Sequence, residues 1–132
     1  MRRRLLAMAL GAAAAFTTLP TAQAADPGAR IYRRSCAVCH MADGSGAGAM
    51  QPALKGSAVV AGKPETLIRL LLFGADTALP KTRRRYSMPM PPFAHLTNDE
   101  IAAVLSHVRH ELVEPPASPI TKEQVAQERA RP

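Results

Sequence analysis

Tryptophan is absent from this sequence of 132 residues, and its aromatic residues are two tyrosines and three phenylalanines. So few large side chains fill little of the interior of a small domain, which is easier to stabilise if a bulky cofactor occupies part of it. The same scarcity of aromatic residues argues against nucleic-acid binding. A pair of catalytic acids, a nucleophile elbow and a phosphate-binding loop are also missing from the sequence.

Alternation of apolar and polar residues, which is typical of β-strands, is missing as well, and helical patterns take its place. Residues 28–39 and 63–74 predict two helices, the second beginning at Pro64 and ending at Gly74. The longest helix begins with a capping box of Thr97 and Glu100. Four prolines in residues 75–93 predict an extended or irregular segment, because proline lacks a backbone donor.

These patterns predict a small all-α fold with long ordered loops. We expect one domain in residues 25–114 and a C-terminal tail in residues 115–132 that forms a short helix. The glycine-rich stretch after residue 40 predicts tight turns.

The first 24 residues have the pattern of a secretory signal peptide. Three arginines precede an uncharged apolar run at residues 5–19, and Ala22-Gln23-Ala24 fits the cleavage signature. This run is shorter than the roughly 20 residues that a membrane-spanning helix needs, which argues against an uncleaved anchor. We therefore expect residues 1–24 to be removed on export to the periplasm, and loss of three arginines lowers the formal net charge from +7 to +4.

The two cysteines of the chain lie together in residues 35–44, SCAVCHMADG. A disulfide between Cys36 and Cys39 would close too short a loop to stabilise the fold much. A thioredoxin-like pair needs a βαβ unit, and a structural zinc site needs two more ligands. Cys-x-x-Cys-His is the attachment signature of c-type haem, which predicts one haem c bound covalently through both thiols, with His40 as the proximal iron ligand.

Methionine is a known second axial ligand of such haems. Met88 and Met90 are the best placed of the six methionines, because they lie about fifty residues beyond His40. The prolines around them stiffen the backbone, as a segment that holds a thioether against iron requires. The alternative is that both methionines simply fill gaps in the core. Of the two we favour Met90.

Three stretches together resemble a class I monohaem cytochrome c, in particular the haem domains in cytochrome subunits of bacterial membrane-bound alcohol dehydrogenases. The stretches are GARIYRRSCAVCH, PALKGSAVVAGKPETLIRLLLFG and MPPFAHLTNDEIAAVLSHVR. The resemblance implies a small cytochrome c fold around one haem, and its Met-Pro-x-Phe motif again selects Met90 as the axial ligand. It further implies that the carbonyl of Pro52 orients the proximal imidazole.

In that family the first helix crosses the last helix of the domain, and Gly28 and Tyr32 match the small and aromatic residues of this crossing. The sequence departs from the family at His107, where tyrosine is usual. We expect His107 to pack in its place and His110 to lie at the surface, with neither binding iron.

Iron with two protein ligands leaves no position for a substrate, so we expect a one-electron carrier rather than an enzyme. Its partners would be redox proteins, a dehydrogenase donor and an oxidase or other acceptor, with no small-molecule substrate. The alternatives are a haem subunit of a multi-subunit dehydrogenase and, with less support, a haem sensor or peroxidase. Residues 83–85, three arginines just before the methionines, are a candidate docking site for an acidic partner.

Overall fold

The computed structural model describes residues 26–80 and 86–131. All helices and strands assigned in these two ranges are helices, with no strand. Its helices are α1 (Pro27–Ile31), α2 (Ala37–His40), α3 (Ala58–Ala61), α4 (Pro64–Phe73), α5 (Ala75–Ala78), α6 (Asn98–Glu111) and α7 (Lys122–Ala130). A π-helical turn, Tyr32–Cys36, joins α1 to α2. The all-α prediction is confirmed. The predicted signal peptide lies outside the described residues.

The ends of the helices follow the capping chemistry read from the sequence. Pro64 opens α4, and Gly74 ends it with φ of 78°. At the start of α6 the backbone N–H of Glu100 donates to Thr97 Oγ1 at 3.2 Å, and the Glu100 carboxylate accepts from the Thr97 N–H at 2.9 Å. This reciprocal pair is the predicted capping box.

The prediction of an irregular segment at residues 75–93 was wrong at its beginning, where α5 forms one helical turn. Proline first occurs in this segment at Pro80, so the residues of α5 keep their backbone donors. The short helix α3 was also missed, although Ser57 caps it through its side chain. A four-residue helix has too short an apolar pattern to be recognised in sequence.

Helices α1 and α6 cross at a very close contact. A Cβ atom at Gly28 would lie 2.2 Å from the carbonyl oxygen of Ala103 and 2.7 Å from Cβ of His107. Tyr32, one turn further along, packs its ring against that of His107 with 5.8 Å between the centroids. The crossing therefore requires glycine at position 28.

The core lies between α4 and α6 and extends under α7. Its fully buried side chains come from α3, α4, α6 and α7: Val60, Ile68, Leu72, Ile101, Val104 and Val125. No helix in residues 26–80 or 86–131 is long and apolar enough to cross a membrane.

Candidate functional site

The helical segment from Pro27 to His40 positions the cysteines and the histidine. Asp26 caps its beginning by accepting a hydrogen bond from the Gly28 N–H at 2.9 Å. The π-helical turn ends at Cys36, and turns of this kind are common at functional sites. The helix ends directly after His40, because Met41 takes φ of 65°.

The His40 side chain is buried, with 6 % of the residue exposed. Its Nδ1 lies 2.9 Å from the carbonyl oxygen of Pro52. A carbonyl oxygen can only accept, so Nδ1 must hold the proton and donate it. In the neutral imidazole the other ring nitrogen, Nε2, then carries no proton and can bind a metal.

The loop between His40 and Pro52 is folded by its glycines. Gly46 donates its N–H to the His40 carbonyl at 3.0 Å and adopts φ of 71°. A Cβ atom there would lie 2.6 Å from the carbonyl carbon and oxygen of Pro52. Only glycine permits this approach, and the approach places the Pro52 carbonyl against the imidazole.

A cavity of about 480 Å³ adjoins this imidazole. Cys36, His40, Pro52, Met88 and Met90 all line it. Much of its apolar wall comes from α3, α4 and α6: Val60, Leu67, Leu70, Leu71, Val104 and Leu105. Its size falls in the range of about 300–1,000 Å³ that is usual for bound cofactors and ligands.

The two thiols are free and differ in their surroundings. Cys36 lines the cavity, whereas Cys39 does not. Burial, together with a smaller contribution from the neighbouring Cys39, raises the pKa of the Cys36 thiol to about 11. No cluster of three or more histidine, cysteine or acidic residues that could hold a metal ion lies within the described ranges.

Both candidate methionines reach the cavity but differ in exposure. Met88 is 47 % exposed, whereas Met90 is half-buried and packs against the core. The Met90 carbonyl accepts a hydrogen bond from the Ala75 N–H at 3.1 Å, and the Phe93 N–H donates to the Leu71 carbonyl at 2.6 Å. The backbone from Met90 to Phe93 is thus fixed to the region where α4 ends and α5 begins.

Gly74 makes this attachment possible. Its φ is 78°, and a Cβ atom there would lie 2.9 Å from the Met90 carbonyl oxygen. From the sequence, Gly74 is recognisable as a helix stop but not in this second role. Glycine is expected at a helix end for conformational reasons alone, so its presence there does not point to a contact with Met90.

His107 and His110 lie away from the cavity lining. The His107 ring packs on Tyr32, and its Nδ1 lies 2.9 Å from Asp26 Oδ2. His110 is exposed and contacts Glu111. The packing role predicted for His107 and the surface position predicted for His110 agree with these contacts, while Asp26 was missed as a partner because it is 81 residues distant in sequence.

These residues fit a haem. The walls are apolar, one imidazole has an available Nε2, and two thioether sulfurs and one thiol share the same cavity. Imidazole with thioether is one of the axial ligand sets known for cytochromes c. The Pro52 carbonyl completes the outer contact that a metal-binding histidine usually makes.

Comparison with known proteins gives a consistent assignment. The family model for cytochrome c matches residues 25–111. The cytochrome c subunit of a quinone alcohol dehydrogenase from Gluconobacter oxydans is 40 % identical over 85 residues, which are 62 % of this chain and 17 % of that subunit. Cytochrome c-552 of Thermus thermophilus is 39 % identical over 85 residues, covering 61 % of this chain and 64 % of that protein.

A similar subunit from Komagataeibacter europaeus is 33 % identical over 63 % of this chain and 18 % of its own length. The chain thus spans under a fifth of the dehydrogenase subunits and less than two thirds of cytochrome c-552. The predicted resemblance to cytochromes c and to dehydrogenase cytochrome subunits is confirmed. This chain belongs to the cytochrome c family.

Proposed function

We propose that this protein is a periplasmic electron-transfer cytochrome that holds one covalently bound haem. The observation that supports this most is the buried His40, whose Nδ1 donates to Pro52 and whose Nε2 is left available beside an apolar cavity. The two thiols of Cys36 and Cys39 would form the covalent links to haem, and one Cys-x-x-Cys-His motif implies one haem. When bound, haem iron supplies reversible one-electron exchange.

Each side chain of the site has a separate task in this proposal. His40 would bind the iron through Nε2, while the Pro52 carbonyl fixes its tautomer and ring orientation. Met90 would provide the thioether ligand on a backbone that is held by the bond from Ala75 to Met90 and by the bond from Phe93 to Leu71. The leucines and valines of the wall exclude water, and low polarity around an iron centre is one determinant of its reduction potential.

If His40 and Met90 both bound the iron, no position would be left for a substrate, so the protein would act as a carrier rather than a catalyst. Its partners are then redox proteins. Cytochrome c-552, at 39 % identity, is not named as a subunit of an enzyme, which supports a carrier that works alone. The dehydrogenase subunit, at 40 % identity, favours a second candidate, a haem subunit of a dehydrogenase complex.

The ligand assignment is tested by comparing Met90→Ala with Met88→Ala. The two variants remove the same side chain two positions apart, so Met88→Ala is a matched control. Met90→Ala should abolish the weak long-wavelength absorption band of ferric haem with methionine sulfur, lower the reduction potential and let the ferrous protein bind carbon monoxide. Met88→Ala should leave all three unchanged. A large effect of Met88→Ala instead would reassign the ligand, and a wild type that already binds carbon monoxide would favour a sensor or peroxidase.

Covalent attachment and export are tested on the protein from its native periplasm. Its intact mass should equal residues 25–132 plus one haem, and its haem should survive denaturation and extraction with acidified acetone. Retention of Met1 would contradict cleavage after Ala24, and extractable haem would contradict attachment through the two cysteines.

The choice between carrier and subunit is tested by gentle purification at low salt. A diffusible carrier should migrate alone, whereas a subunit should remain with a much larger dehydrogenase chain. Residues 83–85, which lie outside the described residues, remain a predicted docking site. Replacing the three arginines by glutamine should slow electron transfer to an acidic partner and weaken its dependence on salt.

A further inference from the structure

The C-terminal helix α7 lies beyond residues 25–111, which the cytochrome c family model matches, yet it is part of the core. Val125 is completely buried, and Ile120, in the segment that leads into the helix, is 4 % exposed. The buried Glu128 forms an ion pair with Arg69 of α4 at 3.6 Å. The helix is therefore fixed to the back of α4, whose Leu67, Leu70 and Leu71 line the cavity.

From this position Arg129 reaches the C-terminal end of the methionine segment, residues 87–96. Its Nη1 donates to the Ala94 carbonyl at 2.9 Å, and its Nη2 donates to the Leu96 carbonyl at 2.8 Å. Its Nε donates to Asn98 Oδ1 at 3.0 Å, at the beginning of α6. A planar guanidinium holds three acceptors at once in a fixed arrangement, which a lysine ammonium does not.

These contacts complete the attachment of the methionine segment. At its N-terminal end the N–H groups of Ser87 and Met88 donate to the carbonyls of Ala49 and Met50. In its middle the Met90 carbonyl accepts from the Ala75 N–H, and the Phe93 N–H donates to the Leu71 carbonyl. Beyond Phe93, Arg129 holds the backbone at residues 94–96. Moving Met90 away from the cavity by displacing this segment as a unit would therefore break the contacts of Arg129.

We infer that Arg129 is a positioning residue that holds the methionine segment in place, with α7 as its support. This inference rests on the proposed ligation of iron by Met90. An external ligand can bind only when methionine leaves, so its apparent affinity is reduced by the small population of the open state. By stabilising the closed segment, Arg129 lowers that population.

The test is titration of the ferric, haem-loaded protein with imidazole. Arg129→Ala should raise the apparent affinity for imidazole about tenfold, equivalent to about 1.4 kcal/mol. This is the stabilisation expected from three hydrogen bonds of an exposed side chain, each contributing a free energy at the low end of the usual range. Arg129→Lys should give an intermediate affinity, and it keeps the charge if the alanine variant does not fold. Lys122→Ala is the matched control, because it removes a positive charge from the same helix at an exposed ion pair with Asp99.

Thermal unfolding of the same variants separates positioning from general stability. If Arg129→Ala lowers the unfolding midpoint while its affinity for imidazole matches the wild type, Arg129 merely stabilises the fold and the inference is overturned. An equal rise in affinity in Lys122→Ala would overturn it too. A wild type without the methionine absorption band would instead refute the ligation by Met90 itself, which distinguishes the two failures.

Discussion

Substitution of Gly46 tests whether the loop fixes the hydrogen bond between His40 Nδ1 and the Pro52 carbonyl. Gly46→Ala places a methyl group 2.6 Å from the carbonyl carbon and oxygen of Pro52 and from the backbone nitrogen of Ala53. The loop must move, and the Pro52 carbonyl moves with it, away from His40 Nδ1. Gly48→Ala is a matched control in the same loop, since Gly48 has φ of 57° but a Cβ atom there meets nothing within 4 Å.

The difference between the two variants isolates the contact with Pro52. Both place alanine in the left-handed region, which costs about 1–2 kcal/mol in each case. Only Gly46→Ala adds the overlap with backbone, and forcing an extra methyl group into a packed site costs about 1–3 kcal/mol. We expect Gly46→Ala to be the less stable of the two by this second amount.

Thermal unfolding followed by circular dichroism measures this difference. For a domain of this size, each kcal/mol corresponds to about 4–8 °C in the midpoint, so the two variants should differ by about 4–24 °C. The reduction potential of haem-loaded Gly46→Ala should also rise, because a weakened hydrogen bond makes the His40 imidazole a less basic ligand. Equal midpoints and equal potentials for the two variants would refute the role assigned to Gly46.

Three further predictions concern the frame around the site. Gly28→Ala should destabilise the fold by about 1–3 kcal/mol despite the better helix propensity of alanine, because its Cβ would overlap the Ala103 carbonyl oxygen. Chemical denaturation measures this loss, with the exposed Arg30→Ala as the control. Val125→Ala should lower the free energy of unfolding of the whole protein by about 1–3 kcal/mol, in a single transition. An unchanged midpoint would mean that α7 unfolds separately. Hydrogen bonds from the Thr97 backbone and side chain hold the pKa of Glu100 below its ordinary value of 4.5. The free energy of unfolding lost in Glu100→Gln should therefore be constant above pH 4.5 and shrink as the pH falls through the lowered pKa. Unfolding of both proteins at pH 7 and in acid measures this change.

Much of the local structure followed from the sequence. Pro64, Gly74 and the Thr97 capping box set helix ends by interactions among residues close in the chain, and such interactions can be read from composition and spacing. The haem attachment motif is equally local, because its chemistry needs only two thiols and an imidazole within five residues. Family membership, which the comparisons confirm, follows from the same motifs.

The tertiary structure decided which distant groups meet around that motif. The hydrogen bond from His40 to Pro52 depends on how Gly46 folds the loop. The attachment of the methionine segment depends on Gly74 and on Arg129, which lies 39 positions after Met90 in the chain. No period or spacing encodes such contacts, because each partner also has an ordinary local explanation: a loop glycine, a helix stop, a surface arginine. The sequence by itself determined the chemistry available to the site, and only packing between distant segments determined how firmly that chemistry is held, because the contacts that hold it join residues with no shared pattern.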